Sequence, residues 1–168
     1  MQIVLVGFMG SGKTTIGSLL SKELNQLFID TDETITNRIN MSVNEYFTLY
    51  GEPKFRQLET TVLAELTENK GVLSTGGGIV TNEANRSILK QLPHVVYLKT
   101  APDEFIRRLE ADKTNVRPLF LSRTTDEMIA LFQERESFYY EVASHIVETT
   151  NKTPEAIVLE IMKEVGVE

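Results

Sequence analysis

The chain has 168 residues, 41% hydrophobic and 24% charged, which suits one globular domain and excludes a disordered chain. It has no cysteine, which excludes disulfides, thiolate metal sites and a Cys nucleophile and fits a cytoplasmic chain. The net charge of −7, from 24 acidic and 17 basic residues, argues against a nucleic-acid partner, which needs a basic surface.

Gln2–Val6 opens the chain as a buried strand, so no signal or transit segment is expected before it. Gly7-Phe8-Met9-Gly10-Ser11-Gly12-Lys13-Thr14 follows, a complete G-x-x-x-x-G-K-[ST] motif. Its glycines let backbone amides wrap a phosphate, and the next helix offers its positive end. Lys13 is expected to bridge the β- and γ-phosphates of ATP, and Thr14 to give its hydroxyl to Mg²⁺. That helix, Thr14 to Leu24, carries Ile16, Leu19, Leu20 and Leu24 on one face.

The second strand, Leu27–Asp30, runs into Asp30-Thr31-Asp32. Alternate residues of an extended segment face opposite ways, so one carboxylate can serve the metal and the other the acceptor hydroxyl. The same residues also suit a helix N-cap and a first-turn acid. Ser42 and Glu45 have capping-box spacing and open a short helix with Tyr46 and Phe47. Arg56, beside Phe55, begins a longer helix through Leu58, Val62, Leu63 and Leu66, ending near Gly71.

The third strand, Val72–Ser74, leads to Gly76-Gly77-Gly78. Three glycines exceed the needs of a turn and suggest a ligand pressed on bare backbone. A helix Asn82 to Leu92, a strand Val95–Leu98 and a helix Pro102 to Ala111 come next. Lys113 to Arg123 is polar, with Arg117 and Pro118 inside it. Thr124 and Glu127, again at capping-box spacing, start a helix to about Ala143 that holds Arg135. The strand His145–Glu148 and a last helix capped at Thr153-Pro154 complete the chain.

This alternation predicts an open three-layer α/β fold with a largely parallel sheet and ligands at the carboxyl ends of its strands. No apolar run approaches the ~18 residues of a membrane span. The third strand ends without a Walker-B aspartate, and the nearest string to N-K-x-D is Asn151-Lys152-Thr153-Pro154. A GTP switch is therefore disfavoured, and the chain reads as a P-loop kinase acting on a small acceptor.

The ordered motifs GFMGSGKTT, FIDTD, GEPKFRQLE, LSTGGGIVT, NVRPLF, the R-x-x-x-Y of ERESFY, and NKTP resemble those of the shikimate kinases over nearly the whole chain. The resemblance implies a five-stranded parallel sheet of order 2-3-1-4-5 and transfer of the ATP γ-phosphate to shikimate, in aromatic amino acid biosynthesis. It implies that Gly10, Ser11, Gly12, Lys13, Thr14 and Thr15 hold the ATP phosphates, and that Asn151 to Pro154, with Lys152 and Pro154, border the adenine. Thr14 binds Mg²⁺ with Asp30 in its outer shell, and Asp32 takes the acceptor's proton. Arg56, Arg135 and the Gly76–Gly78 loop hold the acceptor, the arginines gripping its carboxylate. Arg117 reaches the ATP phosphates from a lid at about 113–123, and helices at about 31–66 form the acceptor side. A monomer is expected. Arg107 and Arg108 are both available to stack on adenine.

One position departs from the family pattern: Ser137 stands where proline is common, so the helix is expected to run on regularly and shift Arg135 slightly. Gluconate and nucleoside-monophosphate kinases are the enzymatic alternatives, although no second base pocket is legible. A regulatory P-loop domain should lack Asp32 or the lid arginine, and this chain has both.

Overall fold

Five short apolar runs pair into one parallel sheet in the computed structural model, which describes residues 1–112 and 122–167. In chain order the elements are β1 (Gln2–Val6), α1 (Lys13–Glu23), β2 (Phe28–Asp30), α2 (Thr31–Ile39), α3 (Val43–Tyr50), α4 (Glu52–Leu66) and β3 (Gly71–Ser74). A 3₁₀ turn (Ile79–Thr81), α5 (Glu83–Leu89), β4 (Val95–Lys99), α6 (Pro102–Ala111), α7 (Thr125–Val142), β5 (His145–Glu148) and α8 (Pro154–Glu164) complete the series. The sheet order is β2-β3-β1-β4-β5, as the resemblance implies.

Parallel strands need long crossovers, and here those crossovers put helices on both faces of the sheet. The central strand shows the result. Ile3 and Leu5 face one side, where Ile16 and Leu20 of α1 meet Ile157 and Ile161 of α8. Val4 and Val6 face the other, with Leu63, Tyr97, Phe105, Phe132 and Tyr139. At ~1.5–3 kcal/mol for each fully buried aliphatic or aromatic side chain, these two layers hold the strand ends in place. A third cluster, Ile35, Phe55 and Val62 with Val43 and Phe47, joins α2, α3 and α4.

Both expected capping boxes form, at Ser42/Glu45 and Thr124/Glu127, and Thr153 caps α8. The segment after β2 differs from a continued extended chain. The Asp30 carboxylate accepts the backbone N–H of Asp32 and Glu33, so the strand stops and α2 begins at Thr31. The helices α4 and α5 end earlier than their apolar patterns suggest. Past Leu66 and Leu89 the chain tightens into i→i+3 bonds, as in Asn69 to Leu66 and Leu92 to Leu89.

Register places the chemistry. Asp30 pairs with Ser74 and Ser74 with Leu5, so the loops after β1, β2 and β3 leave the sheet at one edge. The chain's two histidines lie at the opposite edge: His145 begins β5, His94 precedes β4, and their ring nitrogens are 3.4 Å apart.

Candidate active site

The turn from β1 to α1 has no strand partner for its amides, so they and the helix N-terminus face a cavity of about 530 Å³. Gly12 caps α1 at φ 92°, a conformation that strains residues with a β-carbon. Lys13 is only 9% exposed, and its ammonium donates to the carbonyls of Gly7 at 2.7 Å and Phe8 at 3.0 Å. Its charge is thus fixed over the loop. The Thr14 hydroxyl donates to Asp30 Oδ2 at 3.3 Å, while Asp30 Oδ1 caps α2. A hydroxyl and a carboxylate so placed are hard oxygen donors suited to Mg²⁺.

Asp32 lies in the first turn of α2 and lines this cavity together with a second one of about 340 Å³. The two carboxylates are parted by the cap at the start of α2, not by strand alternation as the sequence suggests. Gly76 and Gly77 line both cavities and Gly78 the second. Their bareness has a reason the sequence hides. A β-carbon on Gly76 would lie 2.7 Å from Asp32 Oδ1, and one on Gly78 2.7 Å from Arg56 Nη2. The close neighbours in both places are side chains of the protein that line these cavities.

The second cavity gathers Arg56 from α4 and Arg135 from α7, and the two arginines sit in unlike surroundings. Arg56 donates to Glu59 at 2.8 Å and to Glu52 at 3.3 Å. Burial opposes its charge, but these carboxylates outweigh burial and hold the guanidinium above its ordinary pKa. Glu59 is 1% exposed, and burial pushes its carboxyl up against the pull of Arg56. Arg135 is 7% exposed, has no carboxylate within 4.0 Å among the described residues, and its Nε lacks a hydrogen-bond partner there. Burial pushes its pKa down, and the Tyr139 hydroxyl offsets only part of that. A buried cation in this state is a receptor for an anion.

A sequence profile of the shikimate kinase family matches residues 9–166. The chain belongs to the shikimate kinase family. The shikimate kinase of Enterococcus faecalis is 46% identical over 163 residues, covering 97% of each chain. Shikimate kinase from Acinetobacter baumannii, solved in complex with shikimate, superposes with a TM-score of 0.89 at 37% identity, over 96% of this chain and 90% of that one. A gluconokinase from Sinorhizobium meliloti reaches a TM-score of 0.64 at 16% identity, over 98% of this chain and 91% of that one; this is likeness of fold alone.

Within this shikimate kinase site, most of the sequence-derived residues converge. Gly10, Gly12, Lys13, Thr14, Thr15 and Asp30 line the first cavity, and Ser11 is buried beneath it. Lys152 and Pro154 do not line it: Lys152 pairs with Glu160, and Pro154 is the first residue of α8. Of the two candidate arginines, Arg107 turns to solvent against Glu104, whereas Arg108 donates to the Gly10, Ser11 and Thr149 carbonyls. Arg108 therefore ties the phosphate loop to the loop after β5. Arg117 lies outside the described residues, though Ser122 and Arg123 beyond it line the second cavity.

Sequence reasoning missed Glu59, Tyr139 and Thr31. Glu59 had a signal, since it stands three residues after Arg56 on one helix face. Tyr139 stands in the R-x-x-x-Y string and Thr31 in FIDTD, but their hydrogen bonds to Gly77 and Gly76, 62 and 45 residues away, are not announced by those strings.

Proposed function

We propose that the chain transfers the γ-phosphoryl group of ATP to a hydroxyl of shikimate, giving shikimate 3-phosphate and ADP. It does so as a cytoplasmic monomer, without nucleic acid or membrane. One observation carries the reading: among the described residues, Asp32 is the carboxylate that lines both cavities. A group at that boundary can face an acceptor on one side and a phosphate chain on the other. No described helix is long and apolar enough to cross a membrane.

ATP fits with its phosphates along Gly10 to Thr15 and the Lys13 ammonium over the β- and γ-phosphates. Arg108 is the arginine at hand for the adenine side. Thr14 and Asp30 would hold Mg²⁺, which typically takes one or two protein groups and completes its shell with phosphates and water. Bound there, the ion would supply positive charge against the ATP phosphates. Arg135 and Arg56 bind the carboxylate of shikimate and direct its hydroxyl to Asp32. The acceptor oxygen then bonds to the γ-phosphorus as the bond to the β,γ-bridging oxygen breaks. Its proton passes to Asp32, and ADP leaves. Arg117 of the 113–123 lid adds positive charge to the migrating group.

Kinetics of the arginines test this division. The carboxylate is charged before and during transfer, so Arg56 should contribute about equally to ground and transition states. Arg56→Ala is expected to raise the acceptor KM by roughly 10- to 150-fold, the value of a charge-assisted pair. It also strands buried Glu59, so a lower Tm should accompany it. Arg56→Lys keeps that pairing but lacks the two-pronged donor, and should raise KM by less with near-normal Tm. Arg117→Ala should instead depress kcat. An unchanged acceptor KM in Arg56→Lys and Arg56→Ala, with a large rise in Arg117→Ala, would exchange the two roles.

A further inference from the structure

Two buried hydroxyls hold the glycine loop after β3 from opposite directions. Thr31 Oγ1, at the start of α2, accepts the Gly76 N–H at 3.0 Å. The Tyr139 hydroxyl of α7 donates to the Gly77 carbonyl at 2.6 Å. Both side chains are fully buried. The Tyr139 ring is itself fixed by stacking on Tyr97, with centroids 5.2 Å apart and planes 22° from parallel.

Tyr139 follows Arg135 by four residues, so both side chains leave the same face of α7. No proline interrupts this helix, which runs unbroken from Thr125 to Val142 through Ser137 and keeps that register. A phenol has one proton to donate and two lone pairs to offer. Its proton goes to Gly77, so what it presents to the neighbouring guanidinium is acceptor capacity, the complement of an N–H donor. The hydroxyl thus meets the glycine loop on the helix face that also carries the buried arginine.

We propose that Tyr139 is a positioning residue of the acceptor site, its hydroxyl locking the Gly77 peptide and the Arg135 guanidinium into one unit that meets the acceptor's anionic group at a fixed place. The proposal rests on the assignment of Arg135 and Gly77 to the acceptor. It implies that without the hydroxyl the two anchors move separately, while the phosphate loop, held by other bonds, is unaffected.

Tyr139→Phe keeps the ring stacked on Tyr97 and removes only the hydroxyl. It is expected to raise the acceptor KM by about 3- to 10-fold, as for the loss of one net hydrogen bond, with kcat and the ATP KM nearly unchanged. The rise in Tm caused by shikimate should shrink, and the rise caused by ADP should not. Tyr140→Phe, whose ring is 40% exposed, serves as the control and should leave all of these unchanged. Arg135→Lys, measured in parallel, reports on the underlying assignment. If Arg135→Lys raises the acceptor KM and Tyr139→Phe does not, the positioning role is overturned and the site assignment stands. If neither variant moves it, the assignment of Arg135 is overturned too. A lower Tm with both KM values unchanged, or a rise of both KM values together, would make Tyr139 a packing residue only.

Discussion

Asp32→Asn is expected to lower turnover by about 10²- to 10⁴-fold, the usual contribution of a positioned general base, with the ATP KM little changed. The amide matches the carboxylate in shape but cannot take the acceptor's proton or bear its charge. The cap of α2 should survive, because Asp30 binds the backbone N–H of residue 32 and not its side chain. The only other ionisable groups with carboxyl chemistry on the acceptor cavity, among the described residues, are Glu52 and Glu59, and both are engaged with Arg56. Both histidines are at the far edge of the sheet. Unchanged turnover at saturating shikimate would therefore move the proton to a group outside this set, and the measurement is a steady-state kcat with both substrates saturating.

Lys13→Ala should reduce turnover by about 10³-fold or more, since removal of a single preorganised charge-stabilising group typically costs 10²–10³-fold and this one also binds ATP. The structure adds a second consequence. An exposed loop lysine would leave the fold untouched, but Lys13 is nearly buried and bonded to the Gly7 and Phe8 carbonyls. Losing both bonds should cost about 1–3 kcal/mol of stability, seen as a lower Tm. Near-normal activity in Lys13→Ala would remove the phosphate loop from the mechanism.

Much of this was legible in the sequence because the relevant information is local. The strands β1, β3 and β4 are short apolar runs buried on both faces, and the phosphate loop, both capping boxes and the Thr153-Pro154 start are short contiguous patterns. The segment after Phe28 was harder to read. Asp30-Thr31-Asp32 suits both an extended chain and a helix cap, and only the N–H groups of Asp32 and Glu33 turning back onto Asp30 decide between them. The glycine run reads in the sequence as bare backbone for a ligand, whereas at Gly76 and Gly78 the close neighbours are Asp32 and Arg56, which arrive from other elements. The choice of Arg108 over Arg107 follows from which side of α6 faces the phosphate loop, and neighbouring identical residues carry no signal of that. The bond of Tyr139 to Gly77 is hidden for a related reason, since it joins a helix and a loop that only the fold brings into contact.

In the proposed mechanism ATP turnover is coupled to one acceptor, gripped by its carboxylate and deprotonated at Asp32. The most direct test is ADP release measured by a coupled assay with Mg²⁺ and ATP, in parallel with shikimate, with no acceptor, with gluconate and with AMP. Rapid ADP formation with shikimate, and near-background formation in the other three, is the predicted result. Equal rates with and without shikimate, or faster turnover with gluconate or AMP, would contradict it.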